Sequence, residues 1–334
     1  MTPATGVGSM PGGAIGAEEA NARAYEEAMR VVLGELPDLP HLPELPGRGP
    51  GATLTGRGAA LLAGLGADLQ PAGWRLTDAP GMDQRRARSL LGQDLDCLEE
   101  RTQGFAGTLK IQVAGPWTLA ATVERPRGDV VLADHGARRD LAQSLAEGVA
   151  SHVADVRRRL PAAAELLVQL DEPALPAVLA GRVPTASGFG RHRTIQPLEA
   201  SDALGWVLSA VEGAGGTPIV HGCAPAFPIG LVRGAGARGV SVDLDVLDAA
   251  AYDALAEAVE AGEWVLLGAV PATAPETPLD DGSVIERLQR LLEMLGLEPS
   301  GRMVVTPGCG LAGSDAAWAR RALALARTAA AELG

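Results

Sequence analysis

The sequence predicts an α/β fold, a single (β/α)8 barrel of the TIM type that takes up residues 1–334 as one domain. Short apolar segments alternate with longer helical patterns seven or eight times along the chain, as in a parallel sheet with helices packed outside it. Polar residues follow several of these segments, at the end where such barrels carry their active sites. An open doubly wound sheet is the alternative. It lacks support because neither a Gly-x-Gly-x-x-Gly turn after the first strand nor a Walker A sequence is present.

Eight strands are expected. Seven are apolar runs bounded by turn residues, at 5–9, 109–114, 166–170, 217–220, 239–243, 264–270 and 303–306. The eighth is expected between Leu39 and Leu54, where prolines and glycines obscure its limits. Ala- and Leu-rich stretches with helical spacing predict helices at 17–33, 140–159, 197–212, 249–261, 283–297 and 314–333. Ser314 and Asp315 are expected to begin the last of them, as a cap and a negative charge at its positive end.

Composition narrows the class of protein. The chain is 47% apolar and 21% charged, which is ordinary for a globular protein. Its net charge of −13 disfavours nucleic acid and anionic membranes as partners. Three cysteines do not suit a disulfide scaffold, and no signal peptide or apolar run of about 18 residues is present. We therefore expect a cytoplasmic protein with reduced thiols.

A metal site is the strongest chemical signal. His221 and Cys223 end one apolar run, and Cys309 ends another 86 positions later. Residues two apart on a strand share a side, so His221 and Cys223 can reach one ion, and the barrel brings Cys309 to the same face. Two thiolates and an imidazole suit Zn²⁺ and leave room for a further ligand. The simplest use of such an ion is to activate a thiol.

Five segments carry a family resemblance. TGVGSMP at 5–11, AGPWTL at 114–119, QLDEPAL at 169–175, HGC at 221–223 and PGCGL at 307–311 occur in the same order in the catalytic barrel of cobalamin-independent methionine synthase. The chain resembles that family over almost its whole length. The resemblance implies a TIM barrel and zinc-dependent transfer of a methyl group to homocysteine.

The resemblance also implies site residues. His221, Cys223 and Cys309 would be zinc ligands, and the family's acidic ligand at the end of the next strand corresponds to Asp243. The family normally has Glu there, and Asp is one methylene shorter. Asp245, two residues further, is therefore the alternative fourth ligand.

The substrate would be held by residues on other strands. In the family, the residue at Ser9 holds the substrate carboxylate and the residue at Asp171 takes its ammonium group. Gly8, beside Ser9, is expected to take part in substrate binding, and so is Glu172, chiefly by supporting Asp171. The Trp117 ring could stack on a methyl donor, although it could equally form a wall of the barrel mouth.

The methyl donor is left open. The family has an Asp-x-His element after its seventh strand, thought to assist protonation of the folate leaving group, whereas residues 267–272 contain neither His nor Asp. The donor is therefore expected to be a folate or a methylcorrinoid protein.

Three other functions remain as alternatives. The first is methyl transfer from a corrinoid to another thiol, such as a sulfonate thiol, which would not need a carboxylate at Asp171. The second is decarboxylation of a uroporphyrinogen type, which the thiol ligands disfavour. The third is a non-catalytic zinc-binding protein that has lost its donor site.

Overall fold

The computed structural model describes residues 2–334 and, within them, eight strands and eleven α-helices. The strands are β1 (Gly66–Gln70), β2 (Gly73–Thr77), β3 (Thr108–Ala114), β4 (Glu165–Asp171), β5 (Thr217–Gly222), β6 (Gly239–Asp243), β7 (Trp264–Val270) and β8 (Met303–Pro307). The helices are α1 (Glu18–Glu35), α2 (Leu54–Leu61), α3 (Met82–Arg101), α4 (Pro116–Thr122), α5 (His135–Arg159), α6 (Leu175–Leu179), α7 (Pro197–Gly213), α8 (Ile229–Gly234), α9 (Ala249–Glu260), α10 (Asp281–Leu295) and α11 (Ala316–Leu333).

A curled parallel sheet forms most of the barrel. Strands β3 to β8 pair in chain order, and every pair is parallel. Two irregular segments, residues 4–9 and 41–44, fill the space between β8 and β3. They are joined by isolated parallel bridges from Ala4 to Val305, from Ser9 to Glu44 and from His41 to Lys110. The (β/α)8 prediction is thus confirmed as a TIM-type fold.

The predicted strands fare differently. Those at 109–114, 166–170, 217–220, 239–243, 264–270 and 303–306 are confirmed, with limits within two residues of β3 to β8. The strand predicted at 5–9 is not regular. Gly6 and Gly8 let this segment approach the side chains of His41 and Gln112 closely, and a Cβ on Gly8 would lie 2.8 Å from the Gln112 side chain. The strand expected between Leu39 and Leu54 is reduced to single bridges because prolines interrupt its N–H donors.

The helices pack outside the sheet, and the six predicted helices are present. Their ends shift by a few residues, and α5 begins five residues earlier than expected. The last helix is capped by Asp315, whose side chain accepts a hydrogen bond from the Trp318 N–H, and Ser314 lies outside it. The β1–β2 hairpin, α2 and the short helices were not predicted, and α3 was expected only as a helix of undefined length around Cys97. No helix within residues 2–334 is long and apolar enough to span a bilayer.

The barrel interior is divided into two halves. A small apolar cluster fills the half where the strands begin, and it consists of Leu39, Leu167, Ile219, Trp264, Leu266 and Val304. Further along the same strands the inward side chains are polar and buried, among them Gln169, Asp171, His221 and Thr306. Lys110 is also buried and lies on β3, level with Leu167. Burying polar groups is costly unless they are hydrogen-bonded. The polar half therefore indicates where the chemistry takes place.

Candidate metal and substrate site

Three side chains from two strands meet above the apolar half of the barrel. His221 is the last but one residue of β5, Cys223 follows that strand, and Cys309 lies two residues after β8. One ligand atom from each lies within 4.8 Å of the others. Donors bound to one tetrahedral zinc ion are roughly 3.3–3.8 Å apart. The barrel thus brings the three predicted ligands together.

The His221 imidazole is oriented for a ligand. Its Nδ1 lies 2.9 Å from Ser241 Oγ on β6, and both residues are buried. Its Nε2 is buried and has no hydrogen-bond partner among the described residues. Metal-binding histidines commonly use one ring nitrogen for the ion and the other for such an outer partner. The orphaned Nε2 and the thiol donors therefore fit a zinc ion.

The two thiols are electrostatically unequal. The pKa of Cys309 is lowered to about 4, because Cys223 donates a hydrogen bond to its sulfur and His221 lies beside it. That same hydrogen bond, together with burial, raises the pKa of Cys223. The lowered pKa of Cys309 favours its thiolate, the form that binds a soft cation.

Neither candidate for a fourth protein ligand joins this cluster. Asp243 ends β6 and is half-buried, and its Oδ1 accepts a hydrogen bond from the Asp245 N–H at 3.0 Å. It approaches the segment after β8 closely, since a Cβ on Gly308 would lie 2.7 Å from its carboxylate carbon. Asp245 instead forms an ion pair with Arg287 at 2.7 Å on the surface. Asp243 is therefore the nearer of the two, but it lies outside the 4.8 Å group.

Asp171 lies at the end of β4, opposite His221 in the strand register. Its Oδ1 accepts a hydrogen bond from Gln169 Nε2 at 2.7 Å, and its other oxygen accepts none from residues 2–334. Burial raises the pKa of this carboxyl to about 7. A cationic group beside it would favour the ionised form.

Ser9 lies against the segment after β8 that carries Cys309, which we call the cysteine loop. Its carbonyl accepts a hydrogen bond from the Leu311 N–H at 2.8 Å. Its Oγ occupies the space that a Cβ on Gly310 would need, so Gly310 must be glycine for this approach. Ser9 is thereby held next to Cys309. Gly8 is buried one residue earlier, and its carbonyl accepts a hydrogen bond from the Glu44 N–H at 3.1 Å.

Glu172 and Trp117 are engaged with the protein itself. The buried Glu172 carboxylate accepts hydrogen bonds from the Trp117 N–H at 2.9 Å, the Thr118 N–H at 2.8 Å and the Thr118 hydroxyl at 2.7 Å. Burial raises its pKa to about 7. The Trp117 indole is 1% exposed and donates to the Ala200 carbonyl. This geometry favours a packing role for Trp117, without a free face for stacking, and a supporting role for Glu172.

Several polar residues of this half of the barrel were missed from the sequence. Ser241, Gln169, Gln112 and Lys110 are buried and point inward from β6, β4 and β3. Each is a polar residue at an inward-facing position of an otherwise apolar strand. A polar residue at such a position was the signal that the sequence offered. Their importance depends on which strands become neighbours, which periodicity does not reveal.

One comparison sets the chain against models of known protein families. The profile of a family described as "Cobalamin-independent synthase, Catalytic domain" matches residues 102–332. That range contains the three clustered ligands, Asp171 and Glu172, while Ser9 lies before it. A sequence search among curated proteins finds no match.

A solved structure with a TM-score above 0.5 shows the likeness of the fold. A B12-independent methionine synthase from Shewanella sp. W3-18-1, in complex with selenomethionine, has a TM-score of 0.62 and 15% identity over 99% of this chain and 97% of that chain. An AP endonuclease of family 2 from Brucella melitensis has a TM-score of 0.42 and 13% identity over 95% and 98% of the two chains.

Proposed function

This chain belongs to the cobalamin-independent synthase family, in its catalytic domain, and on that premise we propose that it is a zinc-dependent methyltransferase that converts homocysteine to methionine. The observation that carries the proposal is the convergence of His221, Cys223 and Cys309 within 4.8 Å, with the buried His221 Nε2 lacking a partner. The solved relative was crystallised with selenomethionine, an analogue of the proposed product.

The metal would be held by these three residues. Ser241 would fix the His221 ring so that Nε2 faces the ion, as outer partners do in other zinc sites. Asp243 is the nearest candidate for a carboxylate ligand, and a position left open would admit the substrate sulfur. When bound there, Zn²⁺ would lower the pKa of a substrate thiol from its ordinary value near ~8.5, so that the sulfur is a thiolate at neutral pH.

The acceptor would be oriented by its amino-acid end. Asp171 offers a carboxylate oxygen without a protein partner to an ammonium group. The Ser9 hydroxyl, held beside the cysteine loop, would receive the carboxylate. With both ends held, the sulfur of a homocysteine-sized thiol would point at the cysteine pair. This placement supplies much of the rate enhancement in a two-substrate reaction.

Methyl transfer then needs little further covalent chemistry from the chain. The acceptor sulfur gives up its proton to solvent. Its lone pair forms the new bond to the methyl carbon as the bond from that carbon to the donor breaks. The broken bond's electron pair leaves with the donor. The residues at the barrel mouth hold sulfur and methyl in line.

For the methyl donor, one observation distinguishes between the two candidates, a folate and a methylcorrinoid protein. Residues 267–272, at the end of β7, contain no acid that could protonate a folate leaving group. This favours a methylcorrinoid protein, whose cofactor leaves without protonation, over methyltetrahydrofolate. The carboxylate of Asp171 in turn favours an amino-acid thiol over a sulfonate thiol.

One assay separates these functions. Zinc-loaded protein is incubated with homocysteine and a donor carrying a ¹³C methyl group, either methyltetrahydrofolate or methylcobalamin, and methionine is measured by mass spectrometry. We expect labelled methionine that depends on zinc and is lost in Cys309→Ser. If zinc-loaded, folded protein forms none with either donor, the methyltransferase proposal fails and the non-catalytic zinc-binding alternative replaces it.

We further propose that residues 1–334 act as one domain in the cytoplasm. One large cluster of buried apolar residues extends from Ala4 to Ala330, which supports a single unit. Two cysteines that must stay reduced to bind metal suit a reducing compartment.

A further inference from the structure

Lys110 is the only lysine among the 28 Lys and Arg residues of this chain. The other 27 residues of that count are arginines. Lys110 lies on β3 and is completely buried inside the barrel. Burying a charge is costly, and a compact ammonium differs from a planar guanidinium chiefly in shape and donor direction. The contacts that surround this ammonium group therefore have to compensate for its burial.

The contacts of the ammonium group are well defined. Lys110 Nζ donates to the Val7 carbonyl at 2.8 Å and to Gln112 Oε1 at 3.1 Å. The Gln112 amide nitrogen in turn donates to the Leu42 carbonyl and to Glu44 Oε1. Since both of those partners only accept, the Gln112 amide can face only one way. Its oxygen must therefore face the lysine.

The same carbonyl receives a second donor. Gln169 Nε2 on β4 donates to the Val7 carbonyl at 2.8 Å and to Asp171 Oδ1 at 2.7 Å. The Val7 carbonyl can only accept, so the orientation of the Gln169 amide is fixed as well. The Val7 carbonyl thus accepts hydrogen bonds from both Lys110 and Gln169. Gln169 in turn donates to the carboxylate of Asp171. Val7 also lies two residues before Ser9 in the same irregular segment.

The network is anchored away from the site by paired charges. Glu44 accepts from Arg57 Nε at 3.0 Å, and Arg57 also contacts Asp94 at 3.0 Å. Asp94 is held in turn by both terminal nitrogens of Arg48, at 2.7 and 2.8 Å. All these groups are nearly inaccessible to solvent. A shift of one member would leave a buried partner unsatisfied, which makes the arrangement rigid.

We infer that Lys110 is a positioning residue, which acts through the Val7 carbonyl and Gln169 to fix Asp171 relative to Ser9 and so gives the site its preference for thiols that carry an amino-acid end. The inference rests on the proposed function, because it assumes that Asp171 receives the ammonium group and Ser9 the carboxylate. Lys110 itself would not touch the substrate.

The first test compares two ligands on matched variants. Lys110→Met and Gln169→Met keep side-chain length and remove the donors. Affinity for homocysteine is measured alongside affinity for 4-mercaptobutyrate, which is homocysteine without its amino group, and zinc content is measured in parallel. We expect homocysteine to bind about tenfold more weakly to each variant and 4-mercaptobutyrate to change by less than about twofold, because one buried hydrogen bond to a charged group is lost.

Thr5→Val serves as the control, since the Thr5 hydroxyl is buried without a hydrogen-bond partner among the described residues. It should leave both affinities unchanged. An equal loss of both ligands in Lys110→Met and Gln169→Met would indicate a structural role only and overturn the inference. Failure of wild-type protein to bind homocysteine would instead refute the proposed function.

The second test uses the wild-type protein and does not depend on the variants folding. Labelling with ¹³C- and ¹⁵N-lysine gives one side-chain NMR signal, because Lys110 is the only lysine. That signal should shift when homocysteine binds and stay unchanged with 4-mercaptobutyrate. Bound homocysteine that leaves the signal unmoved, or equal shifts with both ligands, would overturn the inference.

Discussion

Ser241→Ala probes the zinc site through a residue that is not itself a ligand. Ser241 Oγ lies 2.9 Å from His221 Nδ1, and both side chains are buried. Loss of an outer partner of this kind weakens metal binding about 10- to 100-fold. The space left by one oxygen atom is too small for a water molecule with its own partners. The Nδ1 hydrogen would therefore stay unsatisfied, and we expect the upper part of that range.

The expected effect is a zinc affinity about 30- to 100-fold lower, equivalent to about 2.0–2.7 kcal/mol. Competition with a chelator of known affinity at fixed pH measures it directly. Thr306→Val is the matched control, because the Thr306 hydroxyl is also buried in the barrel but has no hydrogen-bond partner among residues 2–334. A change below about threefold in Ser241→Ala would refute the role given to this hydrogen bond.

Three further predictions concern the ligands, the acceptor contact and the fold around them. Cys309→Ser should lose most of its zinc on gel filtration, and full retention would contradict the site. Asp171→Asn should keep its zinc but bind homocysteine at least about tenfold more weakly in calorimetry; an unchanged affinity would exclude the ammonium contact. Gly115→Ala would place a methyl group against the buried Glu172 carboxylate and should lower the free energy of unfolding by about 1–3 kcal/mol in urea. Gly92→Ala, in α3 with open space around it, should be neutral or stabilising, and equal effects would contradict this reasoning.

The parallel strands could be predicted because each is a buried apolar run bounded by turn residues. In β4 and β7, almost every position is buried, as expected for strands covered on both faces. The convergence of the three candidate metal ligands was predicted from the same pattern, since His221, Cys223 and Cys309 come at or just after strand ends. Here local sequence and overall topology agree, so spacing alone was sufficient.

Helix α3 shows why the extent of some elements could not be predicted, since only a helix around Cys97 was expected there. It has no clear apolar stripe, because two of its buried positions are Gln84 and Asp94. Gln84 is satisfied by backbone groups around the hairpin and α2, such as Ala67 N–H and the Ala59 carbonyl. These partners are remote in sequence, so the polar residues resemble a solvent-exposed surface until the fold is known.

The support beneath Asp171 was hidden for a related reason. Lys110 and Gln169 meet at the Val7 carbonyl, which belongs to a segment more than 100 residues before β4. The segment is not a regular strand, and its position depends on single bridges to β8 and to residue 44. The residue pattern within one strand does not reveal that two side chains donate to the same distant carbonyl.

The most direct test of the central claim, that this barrel holds zinc to activate an acceptor thiol, is zinc X-ray absorption on the purified protein without and with homocysteine. We predict two sulfur ligands, from Cys223 and Cys309, in the free protein and a third when homocysteine is added. A zinc shell that does not change with homocysteine, or protein that binds no zinc, would contradict this claim.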